Sequence, residues 1–89
     1  MLPFEWDEKK CQSNHLKHGI DFFRANSLFF TAHITFEVES FPEKRWAIIG
    51  RIDGKSYTGF YTKRGTIIRW ISVRRSQLSE EKYYETYFK

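Results

Sequence analysis

Basic side chains recur in this sequence at spacings suited to holding an anion. The stretch "TIIRWISVRR", residues 66–75, sets Arg69, Arg74 and Arg75 among isoleucines and a tryptophan. A guanidinium bonds both oxygens of a phosphate or carboxylate at once, so arginine in place of lysine favours that chemistry. Lys10, Asn14 and Lys17 stand at i, i+4 and i+7, one stripe of a helix, with His18 beside them. Both sets have a plainer account. Arginines stack on Trp or Tyr rings and pair with acids such as Glu80 and Glu81. A polar stripe is often only a solvated helix face.

Other chemistries are less well supplied. Cys11, His15 and His18 share a helical face, and thiolate with imidazole suits zinc. A structural zinc site needs four ligands, and the remaining histidine, His33, lies on another element. Cys11 with His15 would make a nucleophile and base, but nothing orients them and no oxyanion site is evident. Glu37 and Glu39 fall on the exposed side of a strand and read as solvated. The expectation is a site without a metal or cofactor.

A surface of Arg, Lys, His and Tyr suits RNA. The 2′-OH of RNA is its own nucleophile. A protein has then to hold the phosphate in line, stabilise its developing charge and move protons. DNA lacks that hydroxyl, so the same residues fit a DNase less well.

The totals set the frame for such a site. Eighty-nine residues argue for one domain. A chain of this size buries roughly two thirds of its surface at best, enough for one sheet and a few helices but not a deep cavity. With 40% hydrophobic and 19% aromatic residues, it is no disordered tail. The single Cys11 excludes an internal disulfide and fits a reducing compartment. No apolar run approaches the roughly 20 residues of a membrane span, and "MLPFEWDEKK" lacks the apolar core of a secretory signal. A cytoplasmic protein with no membrane partner is expected. The net charge of +4 is unevenly spread. Residues 1–44 hold five Lys/Arg against seven Asp/Glu, whereas residues 45–75 hold eight against one, with six of the seven arginines. A basic half favours a polyanionic or acidic partner.

These residues must be positioned by few elements. "FEW" reads as a short strand. Asp7 as N-cap and Gly19 as C-terminal stop bracket a helix over 8–18. A second helix over 21–30 would bury Ile20, Phe22, Ala25 and Phe29. "HITFEVE" alternates as a half-buried strand. Three strands follow as a meander, about 45–52, 55–63 and 66–74, turned at Asp53-Gly54 and Arg64-Gly65. A last helix over 80–88 is capped by Ser79, with Leu78 stapled on Tyr83 and with Tyr83, Tyr84, Tyr87 and Phe88 facing the core. The order βααββββα predicts an α+β fold, a small antiparallel sheet with helices packed against it.

Two-residue turns would set residue 52 against 55 and residue 63 against 66. One face then gathers Trp46, Ile48, Ile52, Tyr57, Tyr61, Ile68, Trp70, Ser72 and Arg74. Arg69 falls on the other. The two arginines can share a site through a bulge, or if Arg74 lies past the strand's end.

The ordered set of motifs resembles the BrnT-type toxins. Phe4, Glu5, Trp6, Asp7, Lys10, Asn14, Lys17, His18, Gly19, Ile20 and Phe22 match that family's opening pattern. "RWAIIG", "YTKRG", "IRWISVRR" and Tyr84-Glu85 match its later ones. The resemblance implies a RelE-like fold and a ribonuclease toxin of a type II toxin–antitoxin pair. It further implies a BrnA-type antitoxin that neutralises the toxin by binding, and contact with operator DNA only as part of that complex. Where the family has a basic stretch before the last helix, this chain has Gln77-Leu78-Ser79-Glu80-Glu81.

On this basis the expected reaction is metal-independent endonucleolytic cleavage of RNA by 2′-OH attack. Arg64, Arg69 and Arg74 would hold the scissile phosphate, with Lys17 and His18 binding or moving protons. Lys10, Asn14, Arg75 and Tyr84 would add RNA contacts. The alternatives are a non-catalytic module that docks RNA or an acidic protein, and a DNA-binding regulator, for which no basic recognition helix stands out.

Overall fold

Asp7 opens the first helix in the manner its side chain predicts. In a computed structural model that describes residues 3–88, its carboxylate accepts the Lys9 and Lys10 amides at 2.9 and 3.2 Å. Helix α1, Glu8–His18, ends at Gly19, whose φ of 73° suits a residue without a Cβ. Before it lies the short strand β1, Phe4–Glu5. After it come α2, Phe22–Ala25, and a 3₁₀ turn, Asn26–Phe30. Strands β2 (His33–Val38), β3 (Arg45–Ile52), β4 (Lys55–Arg64) and β5 (Ile67–Arg75) precede α3, Leu78–Tyr87.

The class is α+β, but the sheet is mixed rather than antiparallel. Its spatial order is β1-β5-β4-β3-β2, and β1 runs parallel to β5, pairing Phe4 with Ile68 and Glu5 with Arg69. The expected helix over 21–30 is broken in two. The Trp70 indole donates to the Asn26 side chain at 2.7 Å, and the chain tightens into the 3₁₀ turn there. The three-residue period then sets Leu28 beneath Ala25, and both are fully buried, while Phe29 is only half-buried.

The last helix starts earlier than expected, with Gln77 and not Ser79 as its N-cap. Glu80 accepts the Gln77 amide at 2.7 Å, which fixes that start. Leu78 is 67% exposed and staples nothing, and of the four expected core aromatics only Tyr84 is buried.

The β3–β4 hairpin turns at Asp53-Gly54, with φ of 51° and 76°, and Ile52 pairs with Lys55 as expected. The next hairpin turns one residue later than expected, on Gly65 and Thr66, so Arg64 pairs with Ile67. Gly65 takes the left-handed conformation, φ 62°, and Arg64 is spared it.

The main core lies on one face of the sheet. Trp46, Tyr61 and Trp70 align across three strands, and α1, α2 and the 3₁₀ turn cover them with Cys11, Ile20, Phe22 and Leu28. A β-bulge then interrupts the β4–β5 ladder. Tyr61 pairs with Trp70 but Phe60 with Ser72, so Ile71 is the extra residue. Beyond the bulge the faces swap. Val73, opposite Gly59, enters the core fully buried, and Arg74 turns to the opposite face. Gly59 is required there: a Cβ would lie 2.7 Å from the Trp70 ring. On that opposite face α3 packs over β3 and β2, with Tyr83 against Phe36 and the Tyr84 hydroxyl donating to the Ala32 carbonyl.

Candidate active site

Strand β5 has an open edge where β1 stops. Asn14, on α1, closes part of it. Its amide nitrogen donates to the Val73 and Ile20 carbonyls, both at 2.8 Å, and its oxygen accepts the Val73 amide at 3.1 Å. The side chain stands where another strand would, and it is buried. Asn14 was expected to touch RNA, but its amide is committed to the main chain and pins α1 along β5.

That pinning builds a cleft of about 220 Å³, lined by Lys10, Ser13, Asn14, Lys17 and His18 of α1 and by Ile71 and Ser72 of the bulge. No carboxylate among the described residues lines it. Among the described residues, Lys10, Lys17 and His18 enter no ion pair. Ser13 continues the Lys10–Lys17 stripe by helical spacing, a signal present in the sequence. Ser72 could not be found that way, because the bulge reassigns its neighbours.

The arginines are placed differently. The bulge brings Arg69 and Arg74 to one face, on either side of Ile71 and Ser72 along β5. Each of the three arginines expected to hold phosphate meets a carboxylate: Arg64 with Glu43 at 3.5 Å, Arg69 with Glu5 at 2.5 Å, Arg74 with Glu80 at 2.7 Å. Arg51 pairs with Glu85 and Arg24 with Asp53. Pairs as open as Arg64–Glu43, with both side chains about half exposed, are worth only about 0–1 kcal/mol, so a phosphate displaces the acid at little cost. Arg64 nonetheless lies away from the cleft, since Glu43 sits in the β2–β3 loop, on the far side of β4 from α1. Tyr84 is also elsewhere, buried between α3 and the sheet with Arg51 over its ring. Arg75 lies over the Tyr57 ring, and its Nε donates to the Ser56 carbonyl at 3.3 Å.

Arg74 is the most firmly held. Its Nη1 and Nη2 donate to the two Glu80 oxygens at 2.7 and 2.9 Å, and its guanidinium lies 5.4 Å from the Phe60 ring centroid. Glu80 also accepts the Thr58 hydroxyl at 3.1 Å. The Glu80 hydrogen bonds hold the Arg74 guanidinium above its ordinary pKa; burial opposes this and the Glu80 charge adds to it. Burial alone pushes the Glu80 carboxyl up. The bonds from Arg74, the Gln77 amide, the Arg74 charge and the Thr58 hydroxyl together outweigh it and hold the carboxyl below its ordinary 4.5.

The residues considered for zinc do not form a site. Cys11 is buried and its Sγ accepts the Phe22 amide at 3.3 Å. Among the described residues no three His, Cys, Asp or Glu side chains converge. A larger, more apolar hollow of about 490 Å³ lies by the β3–β4 turn, lined by Phe23, Arg24, Asn26, Ser27, Phe30, Ile52 and Asp53. It holds none of the candidate residues. Among the described residues no helix is long and apolar enough to cross a membrane.

Residues 6–80 match a family model described as the ribonuclease toxin, BrnT, of type II toxin–antitoxin systems. No curated protein matches the chain.

Proposed function

The chain belongs to the BrnT ribonuclease toxins of type II toxin–antitoxin systems, and from that premise we propose that it cleaves RNA along the α1–β5 edge, using the ribose hydroxyl as nucleophile and no metal. One observation carries this reading: Lys10, Lys17 and His18 converge on a cleft that, among the described residues, no carboxylate lines, beside a bulge that aligns Arg69 and Arg74. An acid-free cationic cleft attracts a phosphodiester.

In this reading Lys10 and Lys17 hold the non-bridging oxygens of the scissile phosphate. Arg74, with Arg69 released from Glu5, faces the charge that grows on those oxygens in the transition state. His18, on the wall of the cleft, is the group for proton transfer, the role histidine most often takes in general acid–base catalysis. The 2′-oxygen gives up its proton and bonds to phosphorus. The bond to the 5′-oxygen breaks, and that oxygen takes a proton. The products are a 2′,3′-cyclic phosphate and a 5′-hydroxyl. Asn14 acts by positioning α1, while Arg64 and Arg75 stay with Glu43 and with the Ser56 carbonyl, outside the contacts to the scissile phosphate.

We read the whole chain as one toxin domain with a RelE-like fold, supported by the single sheet with helices on both faces. The toxin–antitoxin setting gives it an RNA substrate and an antitoxin partner. A BrnA-type antitoxin, and operator binding by the complex alone, complete the proposal.

The test is cleavage of a defined RNA by antitoxin-free protein in EDTA. Cleavage persists, leaves a cyclic phosphate, and fails on an RNA carrying a 2′-deoxyribose at the cut. Lys17→Ala and His18→Ala each lower the rate by about a hundredfold with an unchanged circular dichroism spectrum. Loss of cleavage in EDTA, or full activity in both variants, overturns the assignment.

A further inference from the structure

Arg74 carries five N–H groups in a planar fork. Three are in use: Nη1 donates to Glu80 and, at 3.2 Å, to the Arg75 carbonyl, and Nη2 donates once to Glu80. The Nε–H and the second Nη2–H have no partner among the described residues. These two lie on one side of the guanidinium and form a second fork, spaced for two oxygens of a phosphate. The Glu80 carboxylate therefore grips the end of the guanidinium and leaves its side free.

Glu80 is itself over-determined. It accepts Arg74 twice, the Gln77 amide at 2.7 Å and the Thr58 hydroxyl at 3.1 Å. Thr58 is fully buried, and its hydroxyl shares a hydrogen bond with Ser76, which also accepts from Ser56, both at 2.8 Å. The carboxylate is thus fixed by β4, by the β5–α3 connection and by the helix it starts.

We propose that Glu80 is a positioning residue of the nuclease site: it orients Arg74 so that the free Nε–Nη2 fork meets an RNA phosphate. This rests on the reading of the α1–β5 edge as the cleavage site. It gives a role to an acid that charge counting would place against RNA binding. A carboxylate beside a polyanion lowers affinity by simple repulsion, so its benefit must come through the geometry of Arg74.

Glu80→Gln separates the two effects. Glutamine at this helix position still accepts the Gln77 amide, so α3 is retained, but it cannot accept both arms of the fork. The first readout is the Arg74 Nε–H resonance of ¹⁵N-labelled protein, titrated with a 2′-O-methyl RNA that cannot be cleaved. It shifts in the parent and stays still in Glu80→Gln. No shift in the parent, or an equal shift in the variant, overturns the proposal, and neither result depends on cleavage. The second readout is kinetic. Glu80→Gln lowers kcat about ten- to a hundredfold with KM unchanged or lower, and adds no further loss in an Arg74→Ala background. An equal loss in that background, or a variant at least as active as the parent, marks Glu80 as structural or inhibitory and overturns the assignment. A parent that binds RNA and shifts Arg74 without cutting would refute the nuclease mechanism and leave the positioning role standing.

Discussion

Asn14 shows how one side chain can shape a candidate site through its bonds to the main chain. From its spacing with Lys10 and Lys17 it read as a third polar contact. The structure turns it inward, where its amide satisfies three main-chain groups. No periodicity reveals this, because the need for a plug arises only once β1 ends and leaves Val73 unpaired. Asn14→Ala strands those groups beneath α1, at about 1–3 kcal/mol for each that water cannot reach. Urea unfolding should show a loss of about 2–4 kcal/mol, and RNA cleavage should fall as α1 detaches. Stability unchanged within about 0.5 kcal/mol would show that α1 is held by its apolar contacts alone. Glu80 makes a second prediction at this scale. Its folded pKa lies below its ordinary 4.5, so its pairing stabilises the fold above that pH and is lost as the carboxyl protonates below it. Thermal unfolding of the parent should weaken more steeply than that of Glu80→Gln as pH falls below 4.5. Parallel curves for the two proteins would show that Glu80 contributes nothing in this range.

Strand β5 is the element on which the arrangement turns. Its sequence alternates regularly enough to predict one face from Trp70 to Arg74, and that prediction fails at Ile71. The first half of the face was legible because Trp46, Tyr61, Ile68 and Trp70 obey the pleat. The second half was not, because an inserted residue leaves no mark on composition. Its one trace is Gly59, opposite Val73, where the Trp70 ring takes the space of a side chain. The bulge serves two needs together. It sends Val73 into the core and Arg74 out to the face of Arg69. Gly59→Ala forces the Trp70 ring and its aromatic neighbours apart, an overpacking that costs about 1–3 kcal/mol. Near-ultraviolet circular dichroism should change along with the melting temperature. An unperturbed aromatic spectrum and an unchanged melting point would mean that the ring moves freely and that the bulge is set elsewhere.

For the whole molecule, the count of charges and their pairing point to different places. Residues 45–75 hold most of the arginines and looked like the anion-binding half. Folding brings acids from across the chain to five of the seven: Glu5, Glu43, Asp53, Glu80 and Glu85. Among the described residues, the lysines that gather on a cleft without a partner acid come from α1, in the half with negative net charge. Sequence supplies the number of charges, whereas pairing is a property of the fold. The motif resemblance singled out the α1 residues, whereas composition singled out the arginines of residues 45–75. The distinction has a measurable consequence. Each phosphate neutralised on a single strand adds about −0.7 to the slope of log affinity against log salt. Contacts from Lys10, Lys17 and Arg74 predict a slope near −2 for a 2′-O-methyl RNA. Lys17→Ala should reduce it by about 0.7, and Arg51→Ala, whose guanidinium already faces Glu85, should leave it unchanged. A slope of about −5 or steeper that Lys17→Ala does not alter would mean that the paired arginines open to RNA together. The binding surface would then be the sheet face and not the edge of β5.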